Sequence, residues 1–370
     1  NGCFSFVIYD KQQNELVFAR DRLGIKPFYF YFDKNFFLIA SELRAVLSSG
    51  LVKKDINHLG LNQFLSFQST YYPNTIIKNV NMLEPGTFGI FSLKDFKLEF
   101  NRYWELGIKS KKTSLMSYDV LKKKVKRKIL SSVNKRLIAD VELAAFLSGG
   151  VDSTIIVGIM KELGVKNINT FSLVHDDKKY DESVYSDIVA KKYNTNHYKV
   201  TIGKDELVSE VTNALDEFDS PSADGLNNYI VSKKIREIGI KVALSGLGGD
   251  ELFAGYPQFK YFYYVKKYKY IFKLLKYFPF QLYRFNNHYL KFLKIIASDF
   301  SSNSINTIFR DISGDFDNLL NKQIDKPEYK NAKTDKNYEK FIMSKYSISE
   351  LNGYTSNVLL KDADQTSMAH

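Results

Sequence analysis

Short runs of alternating apolar and polar residues fill the first hundred positions. CFSFVIYD, ELVFARD, PFYFYFD and FFLIASE are aromatic and β-branched runs separated by polar or Gly/Pro turns, and they predict antiparallel strands. Phe4, Phe6 and Ile8 take alternate places in such a strand, and Cys3, inside NGCFSF, is expected to be a packed core thiol. SELRAVLSSG predicts a short helix ending at Gly50. LEPGTFGIFSL returns to strand after a Pro85–Gly86 turn and leads to RYWEL, at Arg102–Leu106. The polar, lysine-rich and aperiodic stretch that follows predicts a linker over 107–116, closing a β-rich domain over 1–106 and opening a second over 117–370.

From Ser117 the period changes. Val120, Leu121, Val125, Ile129, Val133 and Leu137 fall on one face of a long helix. The pattern then predicts strand Leu143–Leu147, helix Ser153–Leu163, strand Ile168–Val174, helix Glu182–Tyr193, strand His197–Val200, helices near 205–217 and 226–237, and strand Lys241–Leu244. That alternation predicts an α/β fold, a mostly parallel sheet wrapped by helices. Beyond Gly255 strand signals fade and the chain is aromatic, basic and helical. Basic and aromatic residues interleave from Tyr261 to Phe292 as in a membrane-surface element, but lysines interrupt the run every few positions, and core-packing helices are the expectation.

The formal charge of +12 would suit a polyanion. Its distribution argues otherwise: lysines are scattered, and runs such as Lys122–Lys124 and Lys266–Lys267 fall within helical periodicity as solvated faces, so nucleic acid is not expected as a partner. A single cysteine excludes a disulfide framework and a four-cysteine zinc site. No apolar stretch approaches the roughly 20 residues that span a bilayer and no signal-peptide order opens the chain, so a cytoplasmic location without a membrane partner is expected. His58, His175, His197, His288 and His370 share no metal-ligand spacing. Asp181, in YDES, reads as a helix N-cap.

The chemistry concentrates in LAAFLSGGVDSTIIVGIM. A strand ends at Leu147, the loop Ser148–Gly149–Gly150–Val151–Asp152 follows, and a helix starts near Ser153. Glycines let the backbone approach a phosphate, the Ser148 and Ser153 hydroxyls add donors, and a helix N-terminus presents free N–H groups. The GxxxxGK[ST] spacing is absent, so this is not a Walker A loop. Asp152 beside phosphates makes sense with Mg²⁺ between them. Taken alone, six such residues leave a glycine turn capping a helix as the lesser alternative. KVALSGLGGDELFAGY ends a second strand in a second glycine-rich loop and offers Asp250 as a second magnesium ligand.

These two loops resemble the synthetase domain of asparagine synthetases, a branch of the PP-loop ATP pyrophosphatases. So do FSLVHDDKKYDESVYSDIVAKKYNTNHYKV, SADGLNNYIVSKKIRE and LLKDADQTSMAH. NGCFSFVIYD, ARDRLGIKPFYFY and ASELRAVL resemble the later half of the class II glutaminase domain that precedes it, an N-terminal-nucleophile αββα fold. The resemblance implies an amidotransferase that adenylates a carboxylate with ATP, releases pyrophosphate and aminates the acyl-adenylate with glutamine-derived ammonia. Carried onto this chain, Ser148, Gly149, Gly150, Asp152 and Ser153 would hold the pyrophosphate moiety. Leu147 and Leu173 would line the adenosine pocket, Ser245 and Gly246 would close it, and Asp152 and Asp250 would be the catalytic, magnesium-binding pair. A homodimer is compatible with this reading.

Two departures qualify what is carried over. Leu247 stands where the family has the acid of SGEG or SGDG, and it can neither take a proton from ammonia nor orient an amine. That leaves the acceptor open between aspartate and other carboxylates such as sugar acids of surface-polysaccharide pathways, and leaves a nucleotide-binding pseudoenzyme as a non-catalytic alternative. The family's nucleophilic cysteine and its adenylation lysine would lie upstream and downstream of this sequence. Truncation at both ends, with no glutaminase activity in the fragment itself, is therefore expected. The tRNA-modifying PP-loop proteins share SGGxDS but bring catalytic cysteines or an RNA-binding appendage, and one cysteine with a glutaminase-like front speaks against them.

Overall fold

Two antiparallel sheets form where the alternating runs predict strands. The elements of this part are β1 (Ser5–Asp10), β2 (Glu15–Arg20), β3 (Tyr29–Phe32), β4 (Phe37–Ala40), α1 (Leu43–Ser48), α2 (His58–Phe67), β5 (Val80–Met82), β6 (Thr87–Ser92) and β7 (Lys97–Arg102). One sheet has the order β1-β2-β6-β7 and the other β4-β3-β5, every pairing antiparallel. In this computed structural model the described residues are 2–107, 116–174, 183–201, 203–222, 225–275, 291, 294–312 and 342–370.

Period-two alternation sends neighbouring side chains of β3 to two cores. Phe30 joins Phe18, Phe28, Leu83 and Phe91, while Tyr29 joins Leu43, Val46, Val80 and Met82. Gly89 of β6 is required by the first core, because a Cβ there would lie 2.2 Å from the Phe18 ring. ARDRLGIK serves the fold. The buried Arg20 guanidinium donates to the carbonyls of Gly24, Lys26 and Leu83, and the Asp21 carboxylate accepts from the N–H groups of Leu23, Ile25 and Lys26.

Two expectations for this part change. α2 lies inside the stretch read as β-rich, its first turn capped by Asn57, whose Oδ1 accepts from the Leu59 N–H at 3.1 Å. Cys3 is exposed, not a core thiol. β1 begins only at Ser5, it is an edge strand, and Phe6, Val7, Ile8 and Tyr9 all remain exposed, so no core forms around its entry.

The second set of elements begins with α3 (Tyr118–Arg136) and β8 (Leu143–Phe146). It continues through α4 (Val151–Glu162), β9 (Asn169–Val174), α5 (Ser183–Tyr193), β10 (Asn196–Thr201), α6 (Lys204–Glu217), α7 (Gly225–Glu237), β11 (Val242–Leu244) and α8 (Gly249–Phe253). The sheet is wholly parallel, in the order β10-β9-β8-β11. Both faces are covered, as parallel strands require. Ala145 faces a core with Val133, Leu147, Val157, Met160 and Ile168, and Ala144 faces another with Phe171, Val200, Ile235 and Ile240. The α/β class expected from the sequence is therefore observed. Asp181, His175 and His288 lie outside the described residues, as do positions 108–115 of the expected linker.

Contacts divide the chain into two compact units that do not follow a single cut in sequence. One comprises Asn1–Gly107, Phe218–Gly225 and Glu251–Gln365, and the other Ile108–Glu217, Leu226–Asp250 and Thr366–His370. The first unit thus gathers the β-rich residues with α9 (Pro257–Lys267), α10 (Lys269–Leu275) and the helices Ser302–Arg310, Ile342–Glu350 and Leu360–Gln365. Within it Asp219 caps α1, its carboxylate accepting from the N–H groups of Leu43 at 2.6 Å and Arg44 at 2.8 Å. Leu351–Leu359 is a π-helix, in which Ser356 Oγ and Asn357 Nδ2 donate to carbonyls five residues back, at 2.6 and 3.0 Å.

Candidate active site

β8 and β11 are neighbours in the sheet, while the chain leaves β8 through α4 toward β9 on the other side. Loops that follow such diverging strands open a crevice at their C-terminal ends, where parallel sheets bind ligands. The loop after β8 begins at the buried Leu147, whose N–H donates to the Phe171 carbonyl at 2.7 Å. Gly149 has φ +83°, and a Cβ there would lie 2.5 Å from Tyr185 Cβ and 2.7 Å from the Ser186 nitrogen, so glycine is demanded twice over. Gly150 is the N-cap of α4, which starts at Val151, two residues ahead of the expected Ser153.

The two serines of this loop bond within it. Ser148 Oγ accepts from the Gly150 N–H at 3.2 Å and lies 3.1 Å from Ser153 Oγ, which donates to the Gly150 carbonyl at 3.2 Å. These bonds hold the loop's shape, and no side chain caps the first turn of the twelve-residue α4. Leu173 lies near the end of β9, half-buried beside Phe146 and Phe171.

Ser245 and Gly246 follow β11. The second loop presses against the first: a Cβ on Gly246 would approach the Asp152 backbone and Ser153 nitrogen at 3.0 Å, and one on Gly249 would sit 2.1 Å from Asp152 Oδ2. The Asp250 backbone N–H lies near the Asp152 carboxylate. Asp152 is pushed above the usual carboxylate range, first by burial and then by the negative charge of Asp250. The structure thus brings Asp152 and Asp250 together.

Gly249 was not among the expected site residues. Its signal was the glycine pair of SGLGGD: Gly248, at φ +94°, makes the turn and Gly249 admits Asp152, whereas in SGGVDS Gly149 does both. Leu247 is 43% exposed, and its N–H donates to Ser245 Oγ at 3.2 Å, a tight turn that leaves the side chain outward.

The pair suits a magnesium ion. Two close carboxylates, one already resisting ionisation, gain from a dication. Among the described residues no lysine or arginine forms an ion pair with either of them, and no group of three acidic, histidine or cysteine side chains gathers as an all-protein metal cage. Magnesium is commonly held in this way, by one or two carboxylates with water and phosphate oxygens completing its octahedron.

The family profile described as Asparagine synthase matches residues 124–370, and that described as Glutamine amidotransferase domain matches residues 1–104. The chain belongs to the asparagine synthase family. Curated relatives of this asparagine synthase family chain include a putative glutamine-hydrolysing asparagine synthetase of Methanocaldococcus jannaschii. It is 35% identical over 265 residues, covering 69% of this chain and 50% of that protein. A glutamine-hydrolysing asparagine synthetase of Bacillus subtilis is 33% identical over 260 residues, covering 69% and 40%. A protein of Gibberella zeae named as an amidase is 30% identical over 276 residues, covering 70% and 40%. The chain thus spans about half the length, or less, of the curated relatives it matches.

Proposed function

We propose that this chain is the nucleotide-using part of a glutamine-dependent amidotransferase, with Mg·ATP lodged between the loop 147–153 and the loop 245–250. The observation that carries the reading is the meeting of Asp152 and Asp250 across two glycine contacts, with Asp152 resisting ionisation. Asp152 and Asp250 would hold the magnesium, which when bound supplies positive charge to the phosphate oxygens of the leaving pyrophosphate. The free N–H groups at the start of α4, with Gly149 and Gly150, would cradle those phosphates. Leu147 and Leu173 would pack against the adenosine, and Ser245 and Gly246 would close over it. The acceptor carboxylate attacks the α-phosphorus of ATP, pyrophosphate leaves, and ammonia then displaces AMP from the acyl-adenylate to give the amide.

Two acceptor classes fit. Family membership favours aspartate. Leu247, an exposed apolar side chain at the turn where asparagine synthetases usually carry an acid, favours a different carboxylate, such as a sugar acid, with the amine's proton taken elsewhere. The experiment measures AMP and pyrophosphate release by the intact protein, with aspartate and with uronic acids as acceptors. Acceptor-dependent AMP is expected, lost in Asp152→Asn and Asp250→Asn while glutamine hydrolysis continues. Nucleotide binding without AMP formation on any carboxylate would replace the amidotransferase reading with a nucleotide-binding pseudoenzyme.

A further inference from the structure

Between Glu251 and Asp299 the sequence has no aspartate or glutamate, while lysine recurs throughout. α9 and α10 occupy the first part of this stretch. α9 buries Phe259, Phe262 and Val265, and Phe272 of α10 leans on the same cluster. That cluster accounts for one face of the pair and meets the expectation of core-packing helices.

The other face is not core. Tyr263, Tyr264, Tyr268 and Tyr270 are all exposed, and beyond them Ile271 is 56% exposed and Leu274 66%. Lysine ammonium groups lie over the tyrosine rings: Lys267 is 5.4 Å from the Tyr268 centroid and 6.0 Å from that of Tyr263, and Lys269 is 5.1 Å from that of Tyr270. Apolar tips, phenols and cations thus share two helices that contribute no acid of their own, the exposed Asp299 lying by Lys266.

We propose that this face of α9 and α10 docks on an anionic lipid bilayer. Ile271 and Leu274 enter the boundary between headgroups and acyl chains, tyrosines sit at headgroup level, and Lys267, Lys269 and Lys273 reach the lipid phosphates. Charge complementarity selects this partner: two helices that carry lysines and no acid of their own meet a leaflet of negative headgroups. Single-stranded nucleic acid, the other polyanion, would need open aromatic faces for base stacking. Here those faces meet ammonium groups, and Tyr264 stacks nearly parallel on Tyr268, at 9° and 6.3 Å. Ile271 and Leu274 have nothing to offer a phosphate backbone. The contact is peripheral: among the described residues no helix is long and apolar enough to cross a membrane.

Vesicle flotation tests this, comparing phosphatidylcholine alone with a mixture containing about one-third phosphatidylglycerol. The chain is expected to float with the anionic vesicles only, less so as salt rises. Ile271→Glu combined with Leu274→Glu should weaken partition at least about tenfold, and Lys269→Gln about fivefold. These side chains are exposed, so unchanged melting curves are expected, and Leu274→Ser serves as the milder variant should the double change unfold the protein. No flotation with phosphatidylglycerol at low salt would overturn the proposal. So would partition unchanged in both the double and the milder variant, or binding to single-stranded RNA without binding to vesicles.

Discussion

At the scale of single residues, Asp152, the proposed magnesium ligand, carries a cost in the ligand-free fold. A carboxyl held above its ordinary range binds its proton more readily in the fold than in the unfolded chain. Its contribution to stability is therefore full at acid pH and fades as pH rises through the raised value. In the ligand-free fold the charged form of Asp152 is disfavoured by burial and by the negative charge of Asp250. Asp152→Asn is expected to raise the melting temperature of the ligand-free chain by about 2 °C while weakening Mg·ATP binding at least about tenfold. Scanning calorimetry checks this, and a melting temperature lowered by the change would contradict it. Gly249→Ala acts on the same carboxylate from the other side, since its methyl group would occupy the place of Asp152 Oδ2. It is expected to weaken Mg·ATP at least about tenfold with the fold retained, as read by nucleotide titration and circular dichroism.

At the scale of elements, the strand–loop–helix units were legible because each step has its own signal. Apolar runs give β8 and β11, paired glycines give the loops, and a return to helical period gives α4. What sequence could not give is partnership at a distance. α2 sits among strands because Asn57 caps it locally and Gly60 lets it approach the Thr75 carbonyl, where a Cβ would lie 2.1 Å away. β1 has the right alternation yet neither face is covered, so alternation specified the strand but not its burial. The π-helix depends on Ser356 and Asn357 reaching back to carbonyls, which no periodicity announces.

The helix that follows the π-segment carries its own test. Burial lowers Lys361 to about 8, against the opposing pull of Asp362 and Asp219, while its Nζ donates to Ser69 Oγ. The unfolded chain keeps this proton up to the ordinary lysine range, whereas the fold releases it near pH 8. Stability should therefore rise with pH between those values. Denaturant unfolding at about pH 8 and about pH 10 is expected to show that rise, and Lys361→Met to flatten it. A rise that persists unchanged in the variant would assign it to another group.

At the scale of the whole molecule, a linear reading divides the chain near its lysine-rich stretch, while contacts gather Phe218–Gly225 and Glu251–Gln365 with the β-rich residues. Asp219 illustrates why: its bonds to Leu43 and Arg44 join positions far apart in sequence, through a carboxylate with no sequence motif of its own. The catalytic proposal does not depend on that division, because both loops, through Asp250, lie in one unit. Its most direct test is calorimetric titration of the intact chain with ATP, with and without magnesium. A single magnesium-dependent site is expected, at least about tenfold weaker in both Asp152→Asn and Asp250→Asn. ATP binding of equal strength in the wild type and both variants, or indifferent to magnesium, would contradict it.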